Sequence, residues 1–359
     1  MKNKKLSVLL FYLLLTAVPA ATILSASFHP AHENIPDLSP AALLTGTSAG
    51  ETDTLLRENF PARDLLTSLR TRMELLSGRR ETAGVFVLDD RLIENTPAVS
   101  EKAITQSAER LSAFADRFDG TVSLMLVPTA SAIHRNLLPA AADIAPQKSV
   151  IDTAYELASE KIGAIDCYSP LSAGRDLSLY YRTDPHWTPL GAYMGYNACA
   201  GQMGFSPLAM DRFNIIHASH DFRGSLCERT GYTVTPDTVD IYSAPGADTS
   251  GIIIRSFNGS EWTETPDLYD LDLLDEGYAI FPEASPLTII ETSVPKAPSL
   301  LIVGDSYMNA LAPFLTMHYS TVALADISLP ERELRDLLDP NSFDQILFCC
   351  TLNSFAELQ

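Results

Sequence analysis

Two short stretches of the chain hold side chains able to do acyl chemistry. The first is Asp184-Pro185-His186-Trp187, within "YYRTDPHWTPLGAY" at residues 180–193. The second is Gly304-Asp305-Ser306, within "LLIVGDSYMNA" at residues 300–310. A serine hydroxyl is a weak nucleophile until a neighbouring base takes its proton. Histidine is the usual base, and a carboxylate orients it and stabilises its charged form. Asp184 and His186 lie two apart, so in an extended segment they point to one side. With Ser306 they form a complete acid–base–nucleophile set, if the fold joins segments distant in sequence. Taken separately, each stretch has an ordinary explanation. Gly-Asp-Ser is common turn chemistry, and Asp184 suits the N-terminus of the helix that follows.

The elements around these stretches are those of an α/β protein. Thr188 then Pro189 reads as an N-cap and first helical residue, for a helix running to about Gly204. "TVSLMLVPT" (121–129) is a continuous apolar run, as in a strand buried on both faces. From residue 299 strands and helices alternate: "SLLIVGDS", "YMNALAPFLTMH", "STVALADI", "PERELRDLLD", "QILFCCTL". Such alternation implies βαβ units and a parallel sheet with helices on both faces. In that architecture function concentrates at the carboxyl ends of strands, where Ser306 falls. The helix it opens supplies N–H groups and positive potential for an oxyanion.

Upstream, residues 52–77 carry helical apolar spacing, interrupted at Pro61. "GVFVLDDRLIEN" (84–95) is a hairpin turning at Asp89-Asp90. Residues 98–117 and 150–163 are helical, and "AIDCYSP" (164–170) is a short strand. "GIIIRSF" (251–257) and "LTIIETS" (287–293) are strands, as in an inserted hairpin.

The bulk numbers narrow the partners. Acidic residues outnumber basic ones 45 to 25, a formal net charge of −20. No basic patch occurs beyond the first five residues, which argues against nucleic acid. "MKNKK" precedes an uncharged run at residues 6–28, the pattern of a secretory signal or, uncleaved, a membrane anchor. Residues 29–50 are rich in Pro, Ala, Ser, Thr and Gly and read as a flexible tether. A single domain then spans 51–359, outside the cytoplasmic membrane. The five cysteines have irregular spacing and no CxxC, so they form neither a disulfide framework nor a zinc pattern. They suit buried positions, and one long-range disulfide remains open. His217-x-x-His220 invites metal, but no third ligand is evident.

The two stretches together resemble a known family. "YYRTDPHWTPLGAY" is similar to the signature of the DHHW-motif proteins and of the alginate O-acetyltransferases, whose catalytic domain is SGNH-hydrolase-like. Pro185 stands where the family usually has histidine. "ENFPARD" (58–64), "GVFVLDDRLIEN" (84–95), "LVPTASAIHRNLLP" (126–139), "DFRGSLCERTGYTVTPDTVDIY" (221–242) and "LLIVGDSYMNALAPFL" (300–315) extend the likeness over residues 55–355. The resemblance implies a three-layer α/β sandwich with a parallel central sheet and permuted motif order, the Asp/His pair preceding the serine.

It also implies Ser306 as nucleophile, His186 as base and Asp184 as orienter. Asn353, in a block lacking the usual Gly-x-Asn-Asp, becomes a candidate oxyanion donor, as do Gly224 and the Ser306 backbone. Arg182, Tyr181 and Trp187 form either a carbohydrate-facing rim or packing around the triad. The implied activity is acetyl transfer through an acetyl-serine to a polysaccharide. No cofactor is implied, and a membrane-bound O-acyltransferase would supply the acetyl group. The alternatives are a carbohydrate O-acetylesterase and a non-catalytic carbohydrate-binding or scaffold protein of the cell envelope.

Overall fold

The computed structural model describes residues 63–244, 251–284 and 286–358. The signal or anchor expected for 1–28, the tether for 29–50 and the boundary at 51 lie outside the described residues. Among the described residues no helix is long and apolar enough to cross a membrane. Two compact units emerge. One comprises 63–77 with Thr230–Tyr232; the other comprises Gly78–Arg229 with 233–358. In the first, the expected N-terminal helix runs Arg63–Leu76, and Leu65, Leu69, Met73 and Leu76 on it are exposed. The second unit holds every candidate site residue.

That unit is built on an eight-stranded sheet. Its strands are β4 (Thr121–Leu126), β5 (Ile162–Ala164), β8 (Ile253–Phe257), β9 (Trp262–Thr265), β10 (Leu287–Glu291), β11 (Ser299–Gly304), β12 (Thr321–Asp326) and β13 (Gln345–Cys350). They lie in the order β5-β4-β13-β11-β12-β10-β8-β9. The first five are mutually parallel, and the last three continue the sheet antiparallel. The segments read as an inserted hairpin do pair, β8 against β10, but β8 also forms a tighter hairpin with β9. Two small sheets complete the unit. One is β1 (Glu81–Thr82), β2 (Val85–Val87) and β3 (Leu92–Glu94), and includes the hairpin expected at 84–95. The other is the ribbon of β6 (Asn214–Phe222) and β7 (Asp237–Ser243).

The central strands alternate their side chains between two apolar cores, as their period of two requires. On β11, Leu300 and Ile302 join one core, while Leu301 and Val303 join the other. Helices Pro189–Met203 and Tyr307–Leu315 cover the first face. Helices Glu101–Ala115, Gln147–Leu157 and Glu331–Leu337 cover the second. The fold is therefore an SGNH-hydrolase-like three-layer sandwich with a mostly parallel sheet, and its Asp/His motif precedes its serine. Thr188 caps its helix as its sequence predicts, accepting from the Gly191 N–H at 3.3 Å. The expected strand at 164–170 is instead the end of β5 and a short helix, Tyr168–Ala173. Asp166 accepts from the Ser169 N–H and hydroxyl, and Pro170 is tolerated in the first turn. All five cysteines are buried and free, so the open disulfide does not form.

One buried histidine gives this unit a pH-dependent stability. His134 follows the short helix Ala130–Ile133, is 3% exposed, and meets the edge of Tyr180. Burial, then the neighbouring Arg91 charge, lowers its pKa to about 4. Unfolded, the imidazole titrates near 6.5. Between those values the unfolded chain binds the extra proton, so stability falls as pH drops through the window. The expected loss is on the order of 3 kcal/mol. Chemical denaturation from pH 7 to 4 should show it, and the slope should flatten in His134→Gln.

Candidate active site

Residues 180–187 form a tight chain reversal. Tyr180 and Trp187 pair as an antiparallel bridge, and the Tyr181 N–H donates to the His186 carbonyl at 3.1 Å. Asp237, the first residue of β7, holds the turn from behind. Its carboxylate accepts from the N–H of Arg182 (2.8 Å), the N–H of Thr183 (2.8 Å) and the Thr183 hydroxyl (2.6 Å). Burial pushes the Asp237 carboxyl above its ordinary value, against the pull of these bonds. The Tyr307 hydroxyl donates to the Pro185 carbonyl at 2.6 Å. Position 185 thus contributes a backbone carbonyl, which proline supplies as well as histidine would. Asp237→Ala strands two loop N–H groups and a buried hydroxyl. It should cost about 2–4 kcal/mol in urea unfolding.

This loop delivers its two polar side chains to Ser306. Asp184 Oδ1 lies 2.5 Å from His186 Nδ1, and His186 Nε2 lies 2.6 Å from Ser306 Oγ. The exposure rises along the relay. The Asp184 side chain is 7% exposed and that of His186 19%, while Ser306 is open to solvent. Asp184 also accepts from the His186 N–H at 3.2 Å and, through Oδ2, from the Ser225 N–H at 3.2 Å and hydroxyl at 3.1 Å. Burial pushes its carboxyl up, but the bond and charge of His186 and these N–H donors outweigh it. The carboxyl settles below its ordinary value and is ionised at neutral pH. Gly224 makes this closeness possible: a Cβ there would meet Asp184 Cβ at 2.4 Å.

Ser306 sits where β11 turns into the helix Tyr307–Leu315. Asp305 braces the turn. It accepts from the Tyr307 N–H at 3.1 Å through one oxygen, and from the Thr351 N–H (2.8 Å) and hydroxyl (2.9 Å) through the other. The end of β13 is thereby tied to the end of β11. The Ser306 hydroxyl is not used to cap its helix, and its backbone N–H makes no hydrogen bond among the described residues. That N–H is available to a developing oxyanion.

The remaining candidates are engaged in other contacts. The Asn353 Nδ2 donates to the Pro97 carbonyl at 3.2 Å. The Gly224 N–H is committed to Thr183 Oγ1 at 3.0 Å. Tyr181 is 2% exposed and Trp187 fully buried, so neither offers a face to a sugar and the packing alternative holds for both. The sequence leaves both readings open because aromatic rings in a polar loop serve rim and core alike. Arg182 lines a cavity of about 340 Å³ with Arg91, His217, His220 and Asp240. His217 Nδ1 lies 2.6 Å from Asp240 Oδ1, and no group of three His, Cys, Asp or Glu among the described residues is placed to hold a metal. Asp237, Ser225 and Tyr278 support the site and carry no local signal that would single them out.

The chain thus presents a serine at the C-terminal end of a parallel strand, hydrogen-bonded to a histidine and through it to a buried aspartate, on a three-layer α/β sandwich. The family model of the DHHW protein matches residues 84–325, and the chain belongs to that family. Among solved structures, a DHHW family protein from Eubacterium siraeum is similar, with a TM-score of 0.63 at 21% identity. The match covers 78% of this chain and 93% of that one. Bacillus cereus PatB1 with sulfonyl adduct is similar over 76% of this chain and 95% of that one, with a TM-score of 0.62 at 17% identity. The O-acetyltransferase domain of Pseudomonas putida AlgJ is more distant, with a TM-score of 0.46 at 14% identity over 77% and 93%. Comparison with curated proteins finds no match.

Proposed function

We propose that this chain is an extracytoplasmic, serine-dependent O-acetyltransferase acting on a cell-surface or exported polysaccharide. The observation that carries the proposal is the unbroken relay from Asp184 through His186 to the exposed Ser306 hydroxyl. In the proposed first step Ser306 Oγ attacks an acetyl carbonyl while His186 Nε2 takes its proton. The oxyanion that forms is met by the unengaged Ser306 N–H. Collapse of the adduct expels the donor's oxygen, which receives the proton from His186, and leaves an acetyl ester on Ser306. An acceptor hydroxyl then repeats the sequence in reverse, and Ser306 is restored. Asp184 stays ionised throughout, orienting His186 and stabilising its imidazolium.

The apolar N-terminal run supports a location beyond the cytoplasmic membrane, where a membrane-bound O-acyltransferase would supply the acetyl group. PatB1 bears a sulfonyl adduct, and sulfonyl fluorides react with activated hydroxyls, so such a reagent is a fitting probe here.

The test is turnover of a chromogenic acetyl ester by the purified protein, with and without neutral and acidic oligosaccharides. Acetylated oligosaccharide, detected by mass, is the expected product. Release of free acetate alone would replace transferase with esterase. No turnover and no sulfonyl labelling would remove the enzyme assignment.

A further inference from the structure

Tyr278 touches both halves of the reacting pair from a third segment of the chain. It lies in the 3-10 stretch Leu271–Ile280, just after Gly277, whose φ of 60° and contact with the Phe222 ring leave no room for a Cβ. Its ring stacks on the His186 imidazole, with centroids 4.1 Å apart and planes 6° from parallel. Its hydroxyl donates to the Ser306 carbonyl at 3.0 Å and accepts from the Ala310 N–H at 3.3 Å. In an ordinary first helical turn the Ala310 N–H would reach the Ser306 carbonyl directly. Here the phenol is inserted between them. The Ser306 carbonyl also accepts the Asn309 N–H at 3.1 Å, so the turn that carries the nucleophile is closed by a 3-10 bond and by the phenol together.

We propose that Tyr278 is a positioning residue, whose hydroxyl fixes the Ser306 turn and whose ring face stabilises the His186 imidazolium formed during attack. The inference rests on the assignment of His186 as the base. A cation beside an aromatic face is attracted by the ring's negative quadrupole, more strongly away from water. Tyr278 is buried, and the edge of Tyr181 and the ring of Phe281 hold its orientation. The other groups facing His186 are Asp184, Ser306 and Tyr307, whose ring lies 5.3 Å away and tilted by 51°. Asp305 lies on the far side of the nucleophile turn, bound to Thr351. Two isosteric rings that both lack the hydroxyl differ only in their electrostatics, so comparing them isolates the contribution of the ring.

The experiment is an NMR titration of the His186 side chain in the full-length protein, which needs no turnover. Its failure is thus distinct from failure of the proposed activity. Tyr278→Phe keeps the ring and should leave the His186 midpoint where it is. Pentafluorophenylalanine at position 278 keeps the shape but reverses the quadrupole. It should lower the midpoint by about half to one pH unit relative to phenylalanine. Where ester turnover is measured, the acidic limb of kcat/KM should move with it. Loss of the hydroxyl in either variant should speed amide exchange at Ala310 by about tenfold. A merely structural ring would give equal midpoints for the two isosteric variants, and that result overturns the electrostatic role. Unchanged exchange at Ala310 overturns the role assigned to the hydroxyl.

Discussion

On the proposed assignment, Ser306→Ala should remove ester turnover, by a factor on the order of 10⁴ or more in kcat. Ser306 Oγ is the one atom in the site that is both exposed and 2.6 Å from the base. Asp305 and Thr351 hold its turn through bonds that do not involve the serine side chain, so the variant should fold normally. The alanine also leaves the backbone N–H in place. What survives is the weak electrostatic help that N–H gives to attack by water. Equal melting temperatures for wild type and variant, with turnover lost, separate chemistry from stability. Sulfonyl labelling should disappear in the same variant.

Asp184→Asn is the second large effect, with an expected fall in kcat on the order of 10³–10⁴. The neutral amide cannot stabilise the imidazolium. If its NH₂ faces His186 Nδ1, it also forces the proton onto Nε2, and the base then has no lone pair for Ser306. Asp184 further accepts from the Ser225 N–H and hydroxyl, which an asparagine oxygen can satisfy only from one side. A smaller loss of stability should therefore accompany the loss of rate. The pH profile discriminates, because the Asp184 carboxyl is held below its ordinary value. Its contribution to stability is complete above the unfolded value near 3.8 and is lost as pH falls through the lower folded value. Wild type should thus lose this term only in strong acid, and Asp184→Asn should lack it.

The contrast between these residues and their supports explains what was legible in the sequence. Asp184, His186 and Ser306 are recognisable because an acid–base–nucleophile relay restricts residue type. Strands β4, β11, β12 and β13 are recognisable because burial on both faces demands an unbroken apolar run. Asp237 and Ser225 are ordinary polar residues until the fold folds them under the loop. Tyr278 matters through a stacking and an inserted hydroxyl, neither of which has a local pattern. The ribbon of β6 and β7 also escaped notice. Residues 214–221 are exposed or half-buried, and irregular register at His217/Ser219 and Ser219/Phe222 breaks the alternation that marks a strand. Of the three residues read as rim or packing, Arg182 lines a cavity, while Tyr181 and Trp187 are buried. A guanidinium resists burial; aromatic rings fill a core readily.

The most direct test of the central claim is to find the acetyl group. Wild-type protein is mixed with p-nitrophenyl acetate, quenched in acid, digested and mapped by mass spectrometry. The account predicts one acetyl ester, on the peptide containing Ser306, absent in Ser306→Ala and lost from wild type when an acceptor is added. An acetyl group carried on another residue, or steady turnover with no acetylated Ser306 at any quench time, would contradict it.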